Sequence, residues 1–397
     1  MATALSIAGS DSIGGAGIQA DIKAMTSLGV HATTVITAVT AQNTCEVAGI
    51  HPLPASFIEA QLIAVLEDAE VKAAKTGMLY SAAAVDAVAK LWPTEIPLVV
   101  DPVLVAGVGD RLHGEDLVDS IKRRLFPLAT VITPNRSEAG ELSGIEVRDE
   151  ESALRACEVI GAAGAAVLLK GGHMDEVEGL PAGGEARVVD FYYRDGEHRT
   201  IEYPRLQRAG HGGGCTLAAF IASHLALGHD LDAAVYRSRR LIQRSIASMF
   251  SVGTGEKLVE PQAPAHARQE ELEAYLALEH AWGATPDSLR ERARSIHLLQ
   301  THHSRQDDCR YDSWAMTLRD DEWVRSEGVI PTGLNDNLSS ETGGRVLLRL
   351  RDAVDVSSLP IDILPLEVSD GQTTQIMSCA ENAPEALRLL LEMWCPP

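Results

Sequence analysis

The chain has 397 residues, of which 45% are hydrophobic and only 4% are aromatic, and its formal charge at pH 7 is −22. This length allows one large α/β domain and a smaller second one. The negative charge removes the attraction to phosphate backbones on which nucleic-acid binding depends, so nucleic acid is not an expected partner. No run approaches the roughly 18 apolar residues of a membrane span, and residues 1–9 lack the basic region of a signal peptide. Six cysteines without a CxxC pair are typical of the reduced cytoplasm, where we expect the protein.

From the start to about residue 260, short apolar runs alternate with longer Ala-rich amphipathic stretches. The runs are ALSIAGS, ATTVITAVTA, AAKTGML, PLVVDPVLVA, ATVITPN and AAVLLKGG. Continuous apolar runs are typical of strands buried on both faces, and the stretches between them carry helical periodicity. The alternation predicts a mostly parallel sheet with helices on both faces. Residues 187–203 differ, because two β-rich runs flank Arg194-Asp195-Gly196, which predicts a hairpin at an antiparallel edge of the sheet.

The composition changes at Pro261-Gln262-Ala263-Pro264, where two prolines precede a charged stretch with a helical pattern at 265–299. We therefore predict two domains, residues 1–262 and residues 263–397. The second is predicted to be a smaller α+β region, with a polar stretch at 301–344, a strand at 346–350 and a last helix at 383–394. Its role is open.

A glycine-rich segment from Gly9 to Asp21 follows the first predicted strand directly. Glycines there let the backbone approach a ligand closely. Asp11 and Asp21 offer acceptors at the carboxyl end of the sheet, where open α/β sheets bind their ligands. The segment lacks the Gly-Lys-Ser or Gly-Lys-Thr ending of a Walker loop. A tight strand-to-helix turn without a ligand is the alternative interpretation.

A second glycine-rich segment, from Gly210 to Thr216, precedes the helical run LAAFIASHLALG. Consecutive glycines at a helix start leave several backbone N–H groups to bind one anion, such as a phosphoryl group in transfer. The same field is expected to lower the pKa of the Cys215 thiol, which would make it a base or a reactive thiol. The alternative is a small buried cysteine beside a helix cap.

Polar side chains also follow four other predicted strands. Asn135 and Glu138 lie at a helix start, where they can face Mg²⁺ beside phosphates or form a capping box. Lys170 can contact a nucleotide phosphate as a mobile charge or remain solvated. Asp101 and Gln42 end two further strands. Polar groups after at least five strands on one edge of one sheet predict a site at that edge.

Two polar clusters are not assigned to any site. One has residues of metal-ligand type without the spacing of a zinc site, and we interpret it as a solvated loop: His302, His303, Asp307, Asp308 and Cys309. The other, Arg237-Ser238-Arg239-Arg240, lies in a helical pattern and is interpreted as a charged surface face.

Seven blocks occur in the order and approximate spacing of one enzyme family: AGSDSIGGAGIQAD, TAQNT, KTGML, DPV, ITPN, LLKGGH and HGGGCT. Over residues 3–260 the chain resembles the hydroxymethylpyrimidine and phosphomethylpyrimidine kinases of thiamine biosynthesis. Cysteine in the last block, where most ribokinase-like enzymes have aspartate, favours this branch. The resemblance implies a three-layer α/β/α ribokinase-like domain. It also implies transfer of the ATP γ-phosphate, with Mg²⁺, to 4-amino-5-hydroxymethyl-2-methylpyrimidine and then to its monophosphate, and a homodimer is expected.

The same resemblance assigns roles to individual residues. Gln42 would contact the pyrimidine edge, and the rest of that pocket would be formed by Gly9, Asp21, Met78 and Val103. The anion hole and the catalytic position would be formed by Gly212, Gly213, Gly214 and Cys215. The nucleotide would be bound by Asn135, Lys170 and His211, and Mg²⁺ would lie near Glu138 and Asn135.

Two positions depart from the family's pattern. Gly213 stands where threonine is usual, so a hydroxyl that can contact phosphate is missing. Ile13 stands where a small or polar residue is usual. Two other functions therefore stay open: a pyridoxal or pyridoxine kinase, which shares the fold, and a catalytically impaired pseudokinase that senses a ligand.

Overall fold

The computed structural model describes residues 1–104, 116–171, 187–206 and 210–266, and six strands between residues 293 and 380. The chain divides into two compact units, Met1–Ala265 and His266–Pro397. No helix among these described residues is long and apolar enough to span a bilayer.

Nine strands form the main sheet of the first unit: β1 Thr3–Ser10, β2 His31–Gln42, β3 Val47–Pro52, β4 Ala73–Thr76, β5 Leu98–Val100, β6 Val131–Ile132, β7 Ala166–Leu169, β8 Arg187–Arg194 and β9 Glu197–Pro204. Their order is β3-β2-β1-β4-β5-β6-β7-β8-β9. The six strands from β2 to β7 in this order pair in parallel. Strands β3, β8 and β9 pair antiparallel at the two edges. The predicted mostly parallel sheet is confirmed.

Eight α-helices accompany this sheet: α1 Gly17–Ser27, α2 Ala55–Asp68, α3 Ala82–Leu91, α4 Leu117–Ser120, α5 Arg136–Ser143, α6 Glu150–Gly161, α7 Gly213–Ala226 and α8 Leu231–Ala247. A π-helical turn, Ile121–Leu125, and a 3-10 turn, Phe126–Leu128, follow α4. Leu5 and Ile7 of β1 belong to a core with α2, α3, α5 and α6, whereas Ala4 belongs to a second core with α1, α7 and α8. Because successive residues of a strand point to opposite faces, the two cores lie on opposite sides of the sheet, which gives the predicted three layers.

The predicted hairpin is confirmed between β8 and β9. Asp195 and Gly196 have φ angles of 54° and 84°, and Arg194 pairs with Glu197 across the turn. Two consecutive positive φ angles suit the right-handed twist of a two-residue hairpin, and Asp-Gly adopts them readily.

A short parallel ladder lies apart from the main sheet. Its strands are β10, Gly210–His211, and β11, Lys257–Leu258. It joins the second glycine-rich segment to the chain just before the end of the first unit.

The interpretation of residues 237–240 as a charged surface face is wrong for two of the four residues. Ser238 and Arg239 of α8 are 0% and 6% exposed, whereas Arg237 and Arg240 are exposed. The Arg239 guanidinium is paired with Asp190 of β8 and lies 4.8 Å from the centre of the Tyr203 ring. A charged side chain can be buried here because its partner is buried with it.

The second unit contains a six-stranded antiparallel sheet. Its strands are β12 Ala293–His303, β13 Arg310–Arg319, β14 Glu322–Ser326, β15 Gly343–Leu350, β16 Ile363–Glu367 and β17 Thr374–Ala380, in the order β14-β13-β12-β15-β17-β16. The predicted helix at 265–299 is wrong from residue 293 onward, and the predicted polar stretch at 301–344 contains β13 and β14. His302 and His303 end β12, opposite Tyr311 and Arg310, so they are not in a loop. The rest of that predicted loop, Asp307, Asp308 and Cys309, and the helix predicted at 383–394 lie outside the described residues.

Candidate active site

The two glycine-rich segments pack against each other backbone to backbone. Gly212 has a φ of 96°, and a Cβ atom there would lie 1.9 Å from the carbonyl oxygen of Gly15. Gly17 has a φ of 55°, and its Cβ atom would lie 2.3 Å from the carbonyl oxygen of Gly9. Only glycine meets both requirements, a left-handed backbone and no side chain. The glycines therefore bring two distant parts of the chain together, beyond making a turn.

The start of helix α7 presents backbone amides of the kind that the predicted anion site requires. Its first internal hydrogen bond runs from the Thr216 amide to the Gly212 carbonyl, at 3.0 Å. The amides of Gly213, Gly214 and Cys215 precede this bond and have no acceptor within the helix. Lys170 supplies positive charge at the same place, because a Cβ atom on Gly214 would lie 3.2 Å from Lys170 Nζ. The structure thus brings Lys170 to the second glycine-rich segment, although the two were predicted from separate motifs.

Lys170 is held by a buried carboxylate. Its Nζ donates to Asp101 Oδ1 at 2.9 Å, and Thr133 Oγ1 donates to the same oxygen at 3.0 Å. Burial alone would lower the pKa of Lys170, but attraction to Asp101 and Glu138 outweighs burial and leaves this pKa above its usual value. Lys170 is therefore a fixed positive charge beside the helix start.

Asn135 and Glu138 form the capping box that was one of the two interpretations of their spacing. Asn135 Oδ1 accepts from the Glu138 amide at 2.9 Å, and Glu138 Oε2 accepts from the Asn135 amide at 2.8 Å. Burial raises the pKa of Glu138 to about 7, against the lowering effect of Lys170. Within the described parts of the chain, no three His, Cys, Asp or Glu side chains are grouped to hold a metal ion. A hard cation here would therefore depend on one or two carboxylates, water and substrate phosphates, which is the donor set that Mg²⁺ accepts.

Three of the predicted pocket residues lie together at the carboxyl end of the sheet. Met78 and Val103 belong to a small apolar cluster with Ala38, Ile50 and Tyr80. A Cβ atom on Gly9 would lie 2.4 Å from Met78 Cε, so this glycine leaves room for the methionine. The cluster forms an apolar wall next to the first glycine-rich segment.

Asp21 lies beneath this wall in a buried ion pair. Its carboxylate accepts from Lys75 Nζ at 3.0 and 3.1 Å and from Ser6 Oγ at 2.5 Å, and the side chains of Asp21 and Lys75 are both 0% exposed. Burial would lower the pKa of Lys75, but attraction to Asp21 outweighs it, so the pKa lies above its usual value. The structure shows that Asp21 contacts Lys75, whereas contact of Asp21 with the substrate stays a prediction.

Lys75 is a residue of the site that the sequence did not predict. The available indication was a lysine within the apolar run AAKTGML, since lysine is almost never fully buried unless it is paired. Lys75 lies close to the centre of the site, because its charge interacts with Asp101 and would interact with a thiolate at Cys215.

The expected low pKa of the Cys215 thiol is wrong. Burial raises this pKa to about 11, and the nearby charge of Lys75 only partly offsets it, since Asp21 and Asp101 act in the same direction as burial. The attraction of a thiolate to Lys75 is therefore weaker than the cost of placing that thiolate in this enclosed position. Cys215 is a neutral thiol at pH 7.

His211 contacts Gln42, which the family resemblance assigned to the pyrimidine pocket, whereas the same resemblance assigned His211 to the nucleotide. Its Nε2 lies 2.9 Å from Gln42 Nε2 and 3.3 Å from Asp11 Oδ2. Asp11 in turn holds the first glycine-rich segment, because it accepts from the amides of Ile13, Gly15 and Ala16. Ser12 connects Gln42 to the same segment, because its hydroxyl accepts a hydrogen bond from the backbone N–H of Gln42 at 2.8 Å. The end of β2 and the end of β10 thus meet at the first glycine-rich segment.

The first unit has a sheet between two layers of helices, and the carboxyl edge of that sheet carries a glycine-rich helix start, a buried lysine and an apolar pocket. This is the architecture of ribokinase-like small-molecule kinases. The crystal structure of an ADP complex of Bacillus subtilis pyridoxal kinase has this fold. It matches 66% of this chain and 98% of its own length, with a TM-score of 0.59 and 31% sequence identity.

Sequence comparison narrows the class. A family model described as phosphomethylpyrimidine kinase matches residues 11–260. The hydroxymethylpyrimidine/phosphomethylpyrimidine kinase of Mycobacterium leprae is 44% identical over 265 residues, which is 65% of this chain and 92% of that protein. A thiamine biosynthesis bifunctional protein of Geobacter sulfurreducens is 46% identical over 258 residues, which is 63% of this chain and 50% of that protein. The chain belongs to the phosphomethylpyrimidine kinase family.

Proposed function

We propose that the protein uses ATP to phosphorylate 4-amino-5-hydroxymethyl-2-methylpyrimidine and its monophosphate in thiamine biosynthesis. The observation that carries this proposal is the placement of Lys170 beside Gly214 at the start of α7, inside the region that the family model matches. Phosphoryl transfer needs mainly positioning and stabilisation of charge, and backbone N–H groups with one fixed lysine supply both.

Each part of the edge has a task in this reaction. The amides at the start of α7 and Lys170 hold the negative charge of the phosphoryl group in transfer. Gln42 pairs with the aminopyrimidine edge, because one amide both donates and accepts in a plane. The wall of Gly9, Met78 and Val103 excludes water from the ring.

Cys215 lies at the start of α7, where the substrate hydroxyl must approach the phosphoryl group. The neutral thiol forms a hydrogen bond with that hydroxyl and positions the hydroxyl for attack. Replacement of Cys215 by alanine should lower kcat and leave the KM values nearly unchanged, because it removes the group that orients the attacking hydroxyl. A Cys215→Ala variant with unchanged kcat would leave catalysis to the backbone amides and Lys170.

Mg²⁺ is proposed to lie beside the phosphates on the side of Asn135 and Glu138. When bound, it neutralises phosphate charge, and Glu138 would hold it through water. The Glu138→Gln variant should need more Mg²⁺ for half-maximal rate, and Glu141→Gln on the same helix serves as the control. Equal Mg²⁺ requirements for the two variants would contradict this placement.

The experiment that tests the function is a coupled assay of ADP release with four substrates: hydroxymethylpyrimidine, its monophosphate, pyridoxal and pyridoxine. We expect the largest kcat/KM for the two pyrimidines. Gln42→Leu should weaken pyrimidine binding by about 1–3 kcal/mol, because it leaves a polar edge unpaired. Binding of the pyrimidine without ADP release would contradict the kinase function and favour a ligand sensor.

Pyridoxal kinase is the second candidate, because the Bacillus subtilis pyridoxal kinase has the same fold at 31% identity. A larger kcat/KM for pyridoxal than for either pyrimidine would favour it.

Assembly and location are also proposals. We propose a homodimer, which light scattering of the purified protein tests directly.

We propose a cytoplasmic location, supported by the described cysteines Cys45, Cys157 and Cys215, all of which are free thiols. Fractionation of the source cells tests this location.

A further inference from the structure

One imidazole nitrogen lies between the substrate-pairing amide and a buried carboxylate. His211 Nε2 is 2.9 Å from Gln42 Nε2 and 3.3 Å from Asp11 Oδ2, and His211 and Asp11 are only 9% and 3% exposed. The backbone of His211 is fixed by the β10–β11 ladder and by a 3.0 Å hydrogen bond from the Val259 amide to its carbonyl oxygen. A nitrogen held this firmly imposes its hydrogen-bonding state on both neighbours.

The carboxylate determines that state. Asp11 Oδ2 accepts from the amides of Gly15 and Ala16 at 2.9 and 2.8 Å. Burial would raise the pKa of Asp11, but the contact with His211 and the backbone hydrogen bonds from Ala16 and Ile13 hold it below its usual value, so the group is ionised and can only accept. The contact with Asp11 is favourable only when His211 Nε2 carries a proton.

A protonated Nε2 in turn selects one orientation of the Gln42 amide. The amide nitrogen facing His211 would place two N–H donors against each other at 2.9 Å. A rotation of 180° fills the same volume and presents the carbonyl oxygen, which accepts from Nε2.

Thr40 favours the same orientation from the other side of the amide. Its hydroxyl proton is used in the 3.0 Å bond to the Ser10 carbonyl, while Thr40 Oγ1 lies 3.3 Å from the second amide atom of Gln42. An oxygen whose proton is already used accepts from an NH₂ group and repels a carbonyl oxygen. Both neighbours of Gln42 therefore require the oxygen toward His211 and the NH₂ toward Thr40.

We propose that His211, held by Asp11, is the positioning residue that fixes the amide of Gln42, so that the site selects a 4-aminopyrimidine over the corresponding 4-oxopyrimidine. The hydroxymethyl group must face the start of α7, so the ring enters in one pose. In that pose the 4-aminopyrimidine has a donating amino group next to a ring nitrogen that accepts. The 4-oxopyrimidine has an accepting oxygen next to a ring N–H group that donates, which is the reverse order. A fixed amide matches one order only. This inference rests on the proposed function, because it requires that Gln42 contacts the pyrimidine.

The test compares kcat/KM for hydroxymethylpyrimidine with kcat/KM for its 4-oxo analogue. The wild-type ratio is expected to be about 10³ or more, because a misordered pair leaves buried polar groups unpaired. His211→Leu removes the donor and should lower this ratio at least about tenfold, with part of the change from better use of the 4-oxo analogue. His211→Gln can place an N–H group near the position of Nε2 and should keep most of the ratio.

Ser12→Ala is the matched control, because it removes hydrogen bonds to the backbone of Thr40 and Gln42 and leaves in place the side chains of His211 and Thr40 that contact the Gln42 amide. It should lower both kcat/KM values together and leave their ratio unchanged. Thr40→Val removes the second neighbour and should lower the ratio, which keeps the test decisive if His211→Leu does not fold. An unchanged ratio in His211→Leu overturns the inference. If His211→Leu does not fold, an unchanged ratio in Thr40→Val overturns it. Failure of the wild-type protein to phosphorylate either pyrimidine would instead contradict the proposed function.

Discussion

Lys75 and Asp21 form an ion pair inside the first unit, with Nζ 3.0 Å from Oδ2 and neither side chain exposed to solvent. Lys75 comes from the fourth strand of the sheet and Asp21 from the first helix, so the pair crosses from the sheet to the layer above it. The charge of Lys75 also acts on Cys215. The pair is therefore both a packing element and part of the electrostatic environment of the reaction.

Replacement of Lys75 by methionine should lower the free energy of unfolding by about 3–5 kcal/mol, because it leaves a buried carboxylate without its partner. The double variant Lys75→Met/Asp21→Leu should recover much of this loss, since it removes both charges. Lys72→Met is the control: its pair with Glu70 is exposed, and such pairs contribute about 0–1 kcal/mol. Urea denaturation measures all three. Equal effects of the two single variants would contradict the assigned weight of the buried pair.

Alkylation of Cys215 should be slow at neutral pH and should accelerate as the pH rises. Its pKa of about 11 lies above the ordinary value, so the reactive thiolate is scarce at pH 7 and grows about tenfold per pH unit until that pKa is approached. The rate with iodoacetamide, followed by peptide mass spectrometry, should be lower at pH 7.5 for Cys215 than for the exposed Cys45. Faster alkylation of Cys215 than of Cys45 at this pH would show a stabilised thiolate instead.

Gly213 should accept a side chain, unlike the glycine before it. A Cβ atom on Gly213 would meet only Val259 Cγ2, at 3.9 Å, whereas one on Gly212 would meet the Gly15 carbonyl oxygen at 1.9 Å. Gly213→Ala should raise the free energy of unfolding by about 0.4–1 kcal/mol through the lower entropy of the unfolded chain. Gly213→Thr should also fold and should lower KM for ATP, because it adds a hydroxyl at the anion-binding helix start. Gly212→Ala is expected to destabilise the protein in the same thermal and chemical denaturation assays.

Arg239→Met should raise KM for ATP more than KM for the pyrimidine. Asp190 Oδ2 accepts from Arg239, and Asp190 Oδ1 accepts from the Gly171 amide at 2.8 Å, directly after Lys170. Loss of the guanidinium leaves Asp190 unpaired, costs about 3–5 kcal/mol of stability and loosens the segment that holds Lys170. Arg237→Met lies on the same helix in an exposed position and should leave both KM values and the stability unchanged. Equal changes in the two KM values would point to general destabilisation.

The first unit should be active without the second. The Mycobacterium leprae relative aligns with 265 residues of this chain over 92% of its own length, so that kinase has no counterpart of the second unit. A chain ending after Ala265 keeps both glycine-rich segments and the β10–β11 ladder. We expect kcat/KM close to that of the full chain in the ADP-release assay. A truncated protein with native circular dichroism and no turnover would show that the second unit completes the site.

The sequence predicted the fold of the first unit because its strands are buried on both faces and therefore appear as apolar runs. The turn at Asp195-Gly196 was equally visible, since only a few residues tolerate two positive φ angles in succession. The second sheet was not predicted. Its central strand, β12, pairs His297 with Leu347, and partners so far apart leave no local pattern. The charged, helix-like composition before residue 293 extended the helix prediction into that strand.

The candidate site was predicted to the level of which segments meet, and not to the level of which side chains touch. Motif order placed Gly9, Gln42, Lys170 and Gly214 at one edge of the sheet. The burial of Lys75, by contrast, depends on a carboxylate 54 residues away in the chain. The pKa of Cys215 depends on a balance between burial and the charges of Lys75, Asp21 and Asp101 that only three-dimensional packing determines.

The ladder between β10 and β11 gives the end of the first unit a mechanical connection to the site. Lys257 and Leu258 share backbone hydrogen bonds with Gly210 and His211, and the first unit ends only a few residues later, at Ala265. A displacement of the chain directly after β11 therefore also moves β10, the strand that holds His211 and precedes the start of α7.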